Sequence, residues 1–178
     1  MARAAAALAW LATLLYPLAI WLGLARFEPR NLALILLVVA LLRVFASPQP
    51  AWLLAAGAAA LLSLLAWLGN AGLPLKLYPV VVNTVMLALF GWSLRHPPTV
   101  IERIARLRHP DLPGQARPWL VKVTRAWCLF FVGNGAVALW TALAGSDAAW
   151  ALYNGAIAYV LMGMMFLGEW WLRPKHAR

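Results

Sequence analysis

Residues 121–143 read VKVTRAWCLFFVGNGAVALWTAL. From Ala126 to Leu143 the stretch carries no charge. A helix needs about 20 mostly apolar residues to cross the hydrocarbon of a bilayer, with ~17–25 tolerated, so the stretch reads as a transmembrane helix entered from a basic end. The pattern recurs on both sides of it. Ala4–Leu24, Leu32–Ala46, Ala51–Leu68 and Leu75–Leu94 precede it, and Ala148–Leu172 follows. The expected fold is all-α: a polytopic membrane protein of about six transmembrane helices, forming one integral membrane domain over residues 1–178. The second run is short. It either tilts in a thinned patch of bilayer or re-enters, and the latter leaves five spans. The first run is longer than the core of a signal peptide, which favours a retained anchor helix.

Composition agrees. Hydrophobic residues make up 65% of the chain and charged residues 11%, with a mean hydropathy of +0.79. A soluble domain is about half apolar and about a quarter charged, so there is too little polar material to cover a water-facing surface. The net charge of +10 arises from 15 Lys and Arg against 5 Asp and Glu. These basic residues flank apolar runs rather than forming an aromatic-basic surface, which argues against a nucleic-acid partner. With the N-terminus inside, twelve of the 15 (Arg3, Arg43, Arg95, Arg103, Arg106, Arg108, Arg117, Lys122, Arg125, Arg173, Lys175 and Arg178) fall on the cytoplasmic side. Arg26, Arg30 and Lys76 fall outside. The positive-inside rule then places both termini in the cytoplasm; the expected location is a bacterial inner membrane. Trp67, Tyr78, Trp140, Trp150 and Tyr153 are expected at outer helix ends, and Trp52, Trp92, Trp119, Trp170 and Trp171 at inner ends, as headgroup-level anchors.

One segment has soluble character: Arg95 to Arg117, RHPPTVIERIARLRHPDLPGQAR. Pro97-Pro98 ends the preceding helix, and Thr99 with Glu102 has capping-box spacing, the Glu side chain reaching back to the cap. A short interfacial amphipathic helix is expected to about Arg108, with Val100, Ile101, Ile104 and Leu107 on one face. Arg103, Arg106, Arg108 and Lys122 form a candidate docking surface for membrane lipids or an acidic partner such as an acyl-carrier protein. The bland reading is a topogenic basic loop.

Charges inside a bilayer are costly. Arg125 and Glu169 are expected to pair between the last two helices. Asn83 and Asn134 are expected as interhelical contacts, and Gly133 and Gly135 permit close approach there. Leu15-Tyr16-Pro17 recurs as Leu77-Tyr78-Pro79, a triplet match that chance explains as well as a repeat does. No catalytic triad, metal-ligand spacing or phosphate-cradling loop is present, so no catalytic, metal or cofactor residues are assigned and no cofactor is expected. Cys128 is the single cysteine. A midplane cavity lined by Asn83, Asn134 and Tyr159 would favour a transporter. A pocket joining His96, His109 and Glu169 would favour an enzyme on acyl chains.

The stretches LKLYPVVVNTVMLALFGWSLRHPPTVIERIARL (75–107), WLVKVTRAWCLFFVGNGAVALWTA (119–142) and LYNGAIAYVLMGMMFLGEWWL (152–172), with YPLAIWLGL (16–24) and RFEPR (26–30), resemble a family of small bacterial membrane proteins. That family is encoded with genes for aryl polyene (xanthomonadin-like) pigments. A more distant likeness, over the C-terminal half, is to the intracellular septation protein A family. It rests on the basic-proline segment Arg95 to Leu107, Leu112-Pro113, Ala126-Trp127, Phe130-Phe131 and the Asn134 region. Neither resemblance implies a catalytic residue. Together these readings lead to an expected function: a non-catalytic accessory or scaffold protein of the cell envelope, supporting aryl polyene or acyl-lipid synthesis at the inner leaflet. The alternative is a small transporter or flippase subunit for a lipid-like product, working as a homo-oligomer because six short helices enclose little cavity alone.

Overall fold

The computed structural model describes residues 15–23, 26–46, 50–108 and 113–174. Arg3, His109, His176, Lys175 and Arg178, and the start of the first expected helix, lie outside them. Every regular element among the described residues is helical. Helical residues 15–23 (α1) are followed by α2 (Pro29–Ala46), α3 (Pro50–Gly69), the single turn α4 (Leu73–Lys76), α5 (Tyr78–Arg95) and α6 (Val100–Arg108). A short 3₁₀ turn, Gly114–Ala116, leads into α7 (Arg117–Ala144). Then come α8 (Asp147–Leu152), a π turn (Tyr153–Ile157) and α9 (Ala158–Leu172).

Proline sets the helix starts. Pro29 and Pro50 open α2 and α3, and Pro74, Pro79 and Pro118 sit in the first turn of α4, α5 and α7. Proline costs nothing there, because the first-turn N–H groups have no intrahelical acceptor. Helix α7 stops at Gly145, where a Cβ would lie 2.7 Å from the Thr141 carbonyl oxygen. Ser146 then caps α8, its Oγ accepting from the Ala149 N–H at 3.2 Å. Asn70 turns the chain after α3 with φ 45°, and its side-chain oxygen accepts from the Arg30 N–H. Asparagine visits this left-handed region more readily than other residues with a side chain.

Helices α2 and α3 form an antiparallel pair. Their seam is lined by small residues two turns apart, Ala33 with Ala40 and Ala59 with Ala66, all buried. Small side chains let apolar helices approach closely when no hydrophobic driving force between them is available from water. Helices α5 and α7 form a second antiparallel pair: Asn83 meets Asn134 near one end and Phe90 meets Trp127 further along. The α8–π–α9 rod packs on α7 in the same sense, through Tyr153 to Asn134 and Phe166 to Trp127. Two cores result. One gathers Tyr16, Ile20, Leu36, Leu75 and Trp150; the other gathers Phe90, Val123, Trp127 and Phe131.

Three helical rods are long and apolar enough to cross a membrane: Leu73–Arg95, Gly114–Ala144 and Asp147–Leu172. Even the best buried keeps only 33% of its apolar window inside the protein. Leu129, Leu143, Val160 and Leu167 instead point outward from it, which water would penalise and lipid does not. The chain is an all-helical membrane protein. Three such rods stand among the described residues, and the expected count of about six spans is not confirmed by them. Helices α2 and α3 run for 18 and 20 residues.

Candidate functional site

At the end of the bundle where α5 stops and α7 begins, α6 is tied down by hydroxyls. The Ser93 hydroxyl donates to the Phe90 carbonyl at 2.7 Å, and its oxygen accepts from the Val100 N–H at 3.1 Å. Thr99 Oγ1 accepts from the Glu102 N–H at 3.3 Å. Both hydroxyls are buried. Together they satisfy two of the first-turn donors that a helix start leaves open, and such a cap is worth about 1 kcal/mol. Val100 and Ile101 pack against the Phe90–Trp127 core.

The other half of the expected capping box is not made. Glu102 does not reach back to Thr99. Its Oε1 accepts from Arg106 one turn on, at 2.8 Å, and its Oε2 lies 3.9 Å from Nε of Arg117, at the start of α7. The Glu102 side chain is only 5% exposed, while those of Arg106 and Arg117 are 53% and 57% exposed. A carboxylate taken out of water needs cationic partners, and two arginines standing at the surface supply them. Oε2 nevertheless has no hydrogen-bond partner among the described residues. Two neighbouring cavities share this group. One, of about 300 Å³, is lined by Pro97, Pro98, Glu102, Arg106 and Arg117. The other, of about 160 Å³, adds Pro113, Gly114 and Leu120.

Of the four residues expected on one apolar face of α6, Val100 and Ile101 pack on the core, while Ile104 and Leu107 are exposed, Leu107 to 84%. They stand beside exposed Arg103, whose Nε donates to the Pro98 carbonyl at 3.0 Å. Lys122 is exposed on α7 and does not line either cavity. Helix α6 includes Arg108. Arg117, which closes the site across the loop, was read from sequence only as a topogenic charge.

The amide pair forms as expected and extends further. Tyr153 O–H donates to Asn134 Oδ1 at 3.0 Å, Asn134 Nδ2 to Asn83 Oδ1 at 3.0 Å, and Asn83 Nδ2 to the Pro79 carbonyl at 2.8 Å. The π turn fits one extra residue into the rod, and both Tyr153 and Asn154 engage α7, Asn154 through Thr141. Gly135 faces Asn83 closely, whereas Gly133 faces open space. The polar groups satisfy one another, and neither cavity reaches them.

The expected Arg125–Glu169 pair is corrected. Glu169 pairs with Arg173 at 2.5 Å, one turn along its own helix, and Arg125 is exposed on α7. A local partner needs no particular rotation of two helices, and an arginine stem is long enough to carry its charge to the interface. Two expected aromatic anchors also change role. Trp150 is fully buried, its Nε1–H donating to the Lys76 carbonyl at 3.1 Å. Tyr78 is buried and packs edge-on against Tyr16, ring centroids 5.2 Å apart, so the two Leu-Tyr-Pro triplets meet. Trp67, Trp92, Trp140, Trp170 and Trp171 are exposed. His96 stacks on Trp92 and lines neither cavity.

Comparison with family models, with curated proteins and with solved structures finds no match to this chain.

Proposed function

We propose that the protein is a non-catalytic accessory protein of a bacterial inner membrane that holds a partner at the cytoplasmic leaflet through the outward face of α6. The observation that carries this reading is the combination at that helix: an exposed Ile104–Leu107 pair beside Arg103, on an element fixed to the bundle by buried Ser93 and Thr99. A rigid apolar pair beside an exposed arginine suits an acidic protein helix, since charge complementarity steers the encounter and the apolar pair anchors it. The segment from Arg95 to Arg117 carries five arginines against Glu102 and Asp111. Acyl-carrier proteins are acidic, and the resemblance to the aryl polyene-associated family makes such a carrier the partner of choice.

The neighbouring groups support scaffolding over chemistry on a substrate. Glu102 is engaged by two arginines, and among the described residues no hydroxyl, thiol or imidazole lines either cavity. Transport is less well supported, because Asn83, Asn134 and Tyr153 spend their hydrogen bonds on each other. The test is binding of an acyl-carrier protein to the purified protein in nanodiscs, with and without Arg103→Glu and Leu107→Asp. Salt-sensitive binding that the double variant abolishes supports the reading. Equal binding by the variant, or none by the native chain, overturns it.

A further inference from the structure

The cavity beneath α6 asks for a ligand of its own. Glu102 is nine-tenths buried and one of its oxygens, Oε2, has no hydrogen-bond donor, although a carboxylate can accept on both. Arg117 Nε lies 3.9 Å from Oε2, beyond hydrogen-bond range. Leaving a buried acceptor unmade is costly. Arg106 spends one donor on Oε1, and more than half of the surface of each arginine side chain remains open. The group therefore presents two cationic forks with spare donors around one acceptor that lacks a donor. Its complement is an anion with a donor a few bonds away.

Position narrows the class. The site lies where the rods ending at Arg95 and starting at Gly114 leave their apolar spans, which is the depth of lipid headgroups. The exposed Leu107 and Ile104 next to it suit the acyl boundary or a docked partner equally, so they do not decide the matter. Charge does. A phosphodiester drawing on both guanidiniums leaves Glu102 short of countercharge, and a primary ammonium restores it while supplying the donor Oε2 lacks. A hydroxyl supplies the donor without the charge. A quaternary ammonium supplies the charge without the donor. The larger cavity, at about 300 Å³, sits at the lower end of the range for small-ligand sites (~300–1,000 Å³).

We infer that Glu102, Arg106 and Arg117 form a headgroup site for an aminophospholipid of the phosphatidylethanolamine type, with the phosphodiester on the two arginines and the ammonium on Glu102. This goes beyond the docking role and rests only on the protein being embedded in a bilayer. A lipid seated here would brace α6 against the start of α7 from the side that the protein itself leaves open.

The experiment is native mass spectrometry of the full chain, titrated in detergent with lipids of matched acyl chains. The headgroups are ethanolamine, glycerol and choline, and Glu102→Gln and Arg117→Gln are run beside the native protein. The native protein should bind the ethanolamine lipid about tenfold more tightly than the choline lipid, the worth of one hydrogen bond to a buried charge. Glu102→Gln should bring the two within about twofold. Arg117→Gln, at an exposed position, keeps the test informative even if Glu102→Gln fails to insert, and it should weaken both lipids together, since both carry the phosphodiester. Equal binding of ethanolamine and choline lipids by the native chain overturns the site. So does a preference that survives Glu102→Gln, or one left untouched in strength by Arg117→Gln. Binding of the glycerol lipid as tightly as the ethanolamine lipid overturns the ammonium assignment. The Arg103→Glu, Leu107→Asp variant should keep the lipid preference, so failure of the docking reading and failure of this one are separable.

Discussion

The two ends of the bundle are each built around an ion pair, and they use it differently. At one end Lys76 meets Asp147, and the backbone beside it is closed off: the Leu75 carbonyl accepts from the Tyr16 hydroxyl at 2.8 Å and the Lys76 carbonyl from Trp150 Nε1. At the other end Glu102 is held by Arg106 and approached by Arg117, one of its oxygens lacks a donor, and cavities adjoin it. A sealed end in which polar groups are mutually satisfied stabilises the fold. An end that leaves a buried acceptor open carries a cost the fold does not require, which is where recognition is to be looked for. The comparison predicts large stability effects at the sealed end and along the seam, and small ones at the open end.

The largest effect is expected for Trp150→Ala. Trp150 is the largest fully buried side chain, and its loss opens a cavity and frees the Lys76 carbonyl. Large-to-small changes of this kind cost about 3–5 kcal/mol. Unfolding in mixed micelles should show the loss directly. A change below about 1 kcal/mol would mean that this end is not the clamp described.

Next is the amide seam. Asn134→Leu strands both Asn83 Oδ1 and the Tyr153 hydroxyl, and should cost about 1–2 kcal/mol. Adding Asn83→Leu removes one of the stranded partners, so the double variant should cost less than the two singles together. Strict additivity in the same unfolding assay would show that the two amides do not act as a pair.

The seam was legible in the sequence and the open site was not, for a physical reason. An amide inside a long apolar run must find a partner, so Asn83 and Asn134 announce themselves. Thr99 likewise sits where a helix start needs an acceptor. Helix spans were readable from proline and apolar runs alone, within the limits of length. What sequence position does not give is rotation about the helix axis. Trp150 lies at the right depth for an interfacial anchor, yet its face points inward. Arg125 and Glu169 lie at suitable depths for a pair, yet the local Arg173 takes the carboxylate. Glu102 and Arg106 have the spacing of neighbours on a helix, but Arg117 joins them only through the fold, across the intervening loop.

A smaller effect separates two glycines two residues apart. Replacing glycine by alanine in a helix interior gains up to about 1 kcal/mol from backbone entropy and propensity. At Gly133 a Cβ meets nothing within 4 Å, so Gly133→Ala should be neutral or stabilising. At Gly135 it would lie 3.2 Å from Cβ of Asn83. That atom is fixed to the α5 backbone and its side chain is hydrogen-bonded on both sides, so α5 itself must shift. Gly135→Ala should therefore be less stable than Gly133→Ala by about 1 kcal/mol, read as a difference in unfolding midpoint. Equal midpoints would show that α5 and α7 are not in close contact at this level.

The smallest stability effect, and the sharpest comparison of the two ends, comes from making the same kind of change in each: Lys76→Gln and Arg117→Gln. Lys76 is 14% exposed and in contact with Asp147, so its replacement puts a neutral group in a largely buried place and leaves a half-exposed carboxylate without its partner. That should cost about 1 kcal/mol or somewhat more. Arg117 is 57% exposed, and its Nε stands 3.9 Å from Glu102, too far for a hydrogen bond. Arg106 still holds the Glu102 carboxylate at 2.8 Å, so Arg117→Gln should stay within about 0.5 kcal/mol of the native protein. Yet Arg117→Gln is also the variant expected to lose phospholipid binding. If it destabilises as much as Lys76→Gln in the lipid-free micelle, Arg117 is a structural brace like its counterpart, and the open end is only a second clamp.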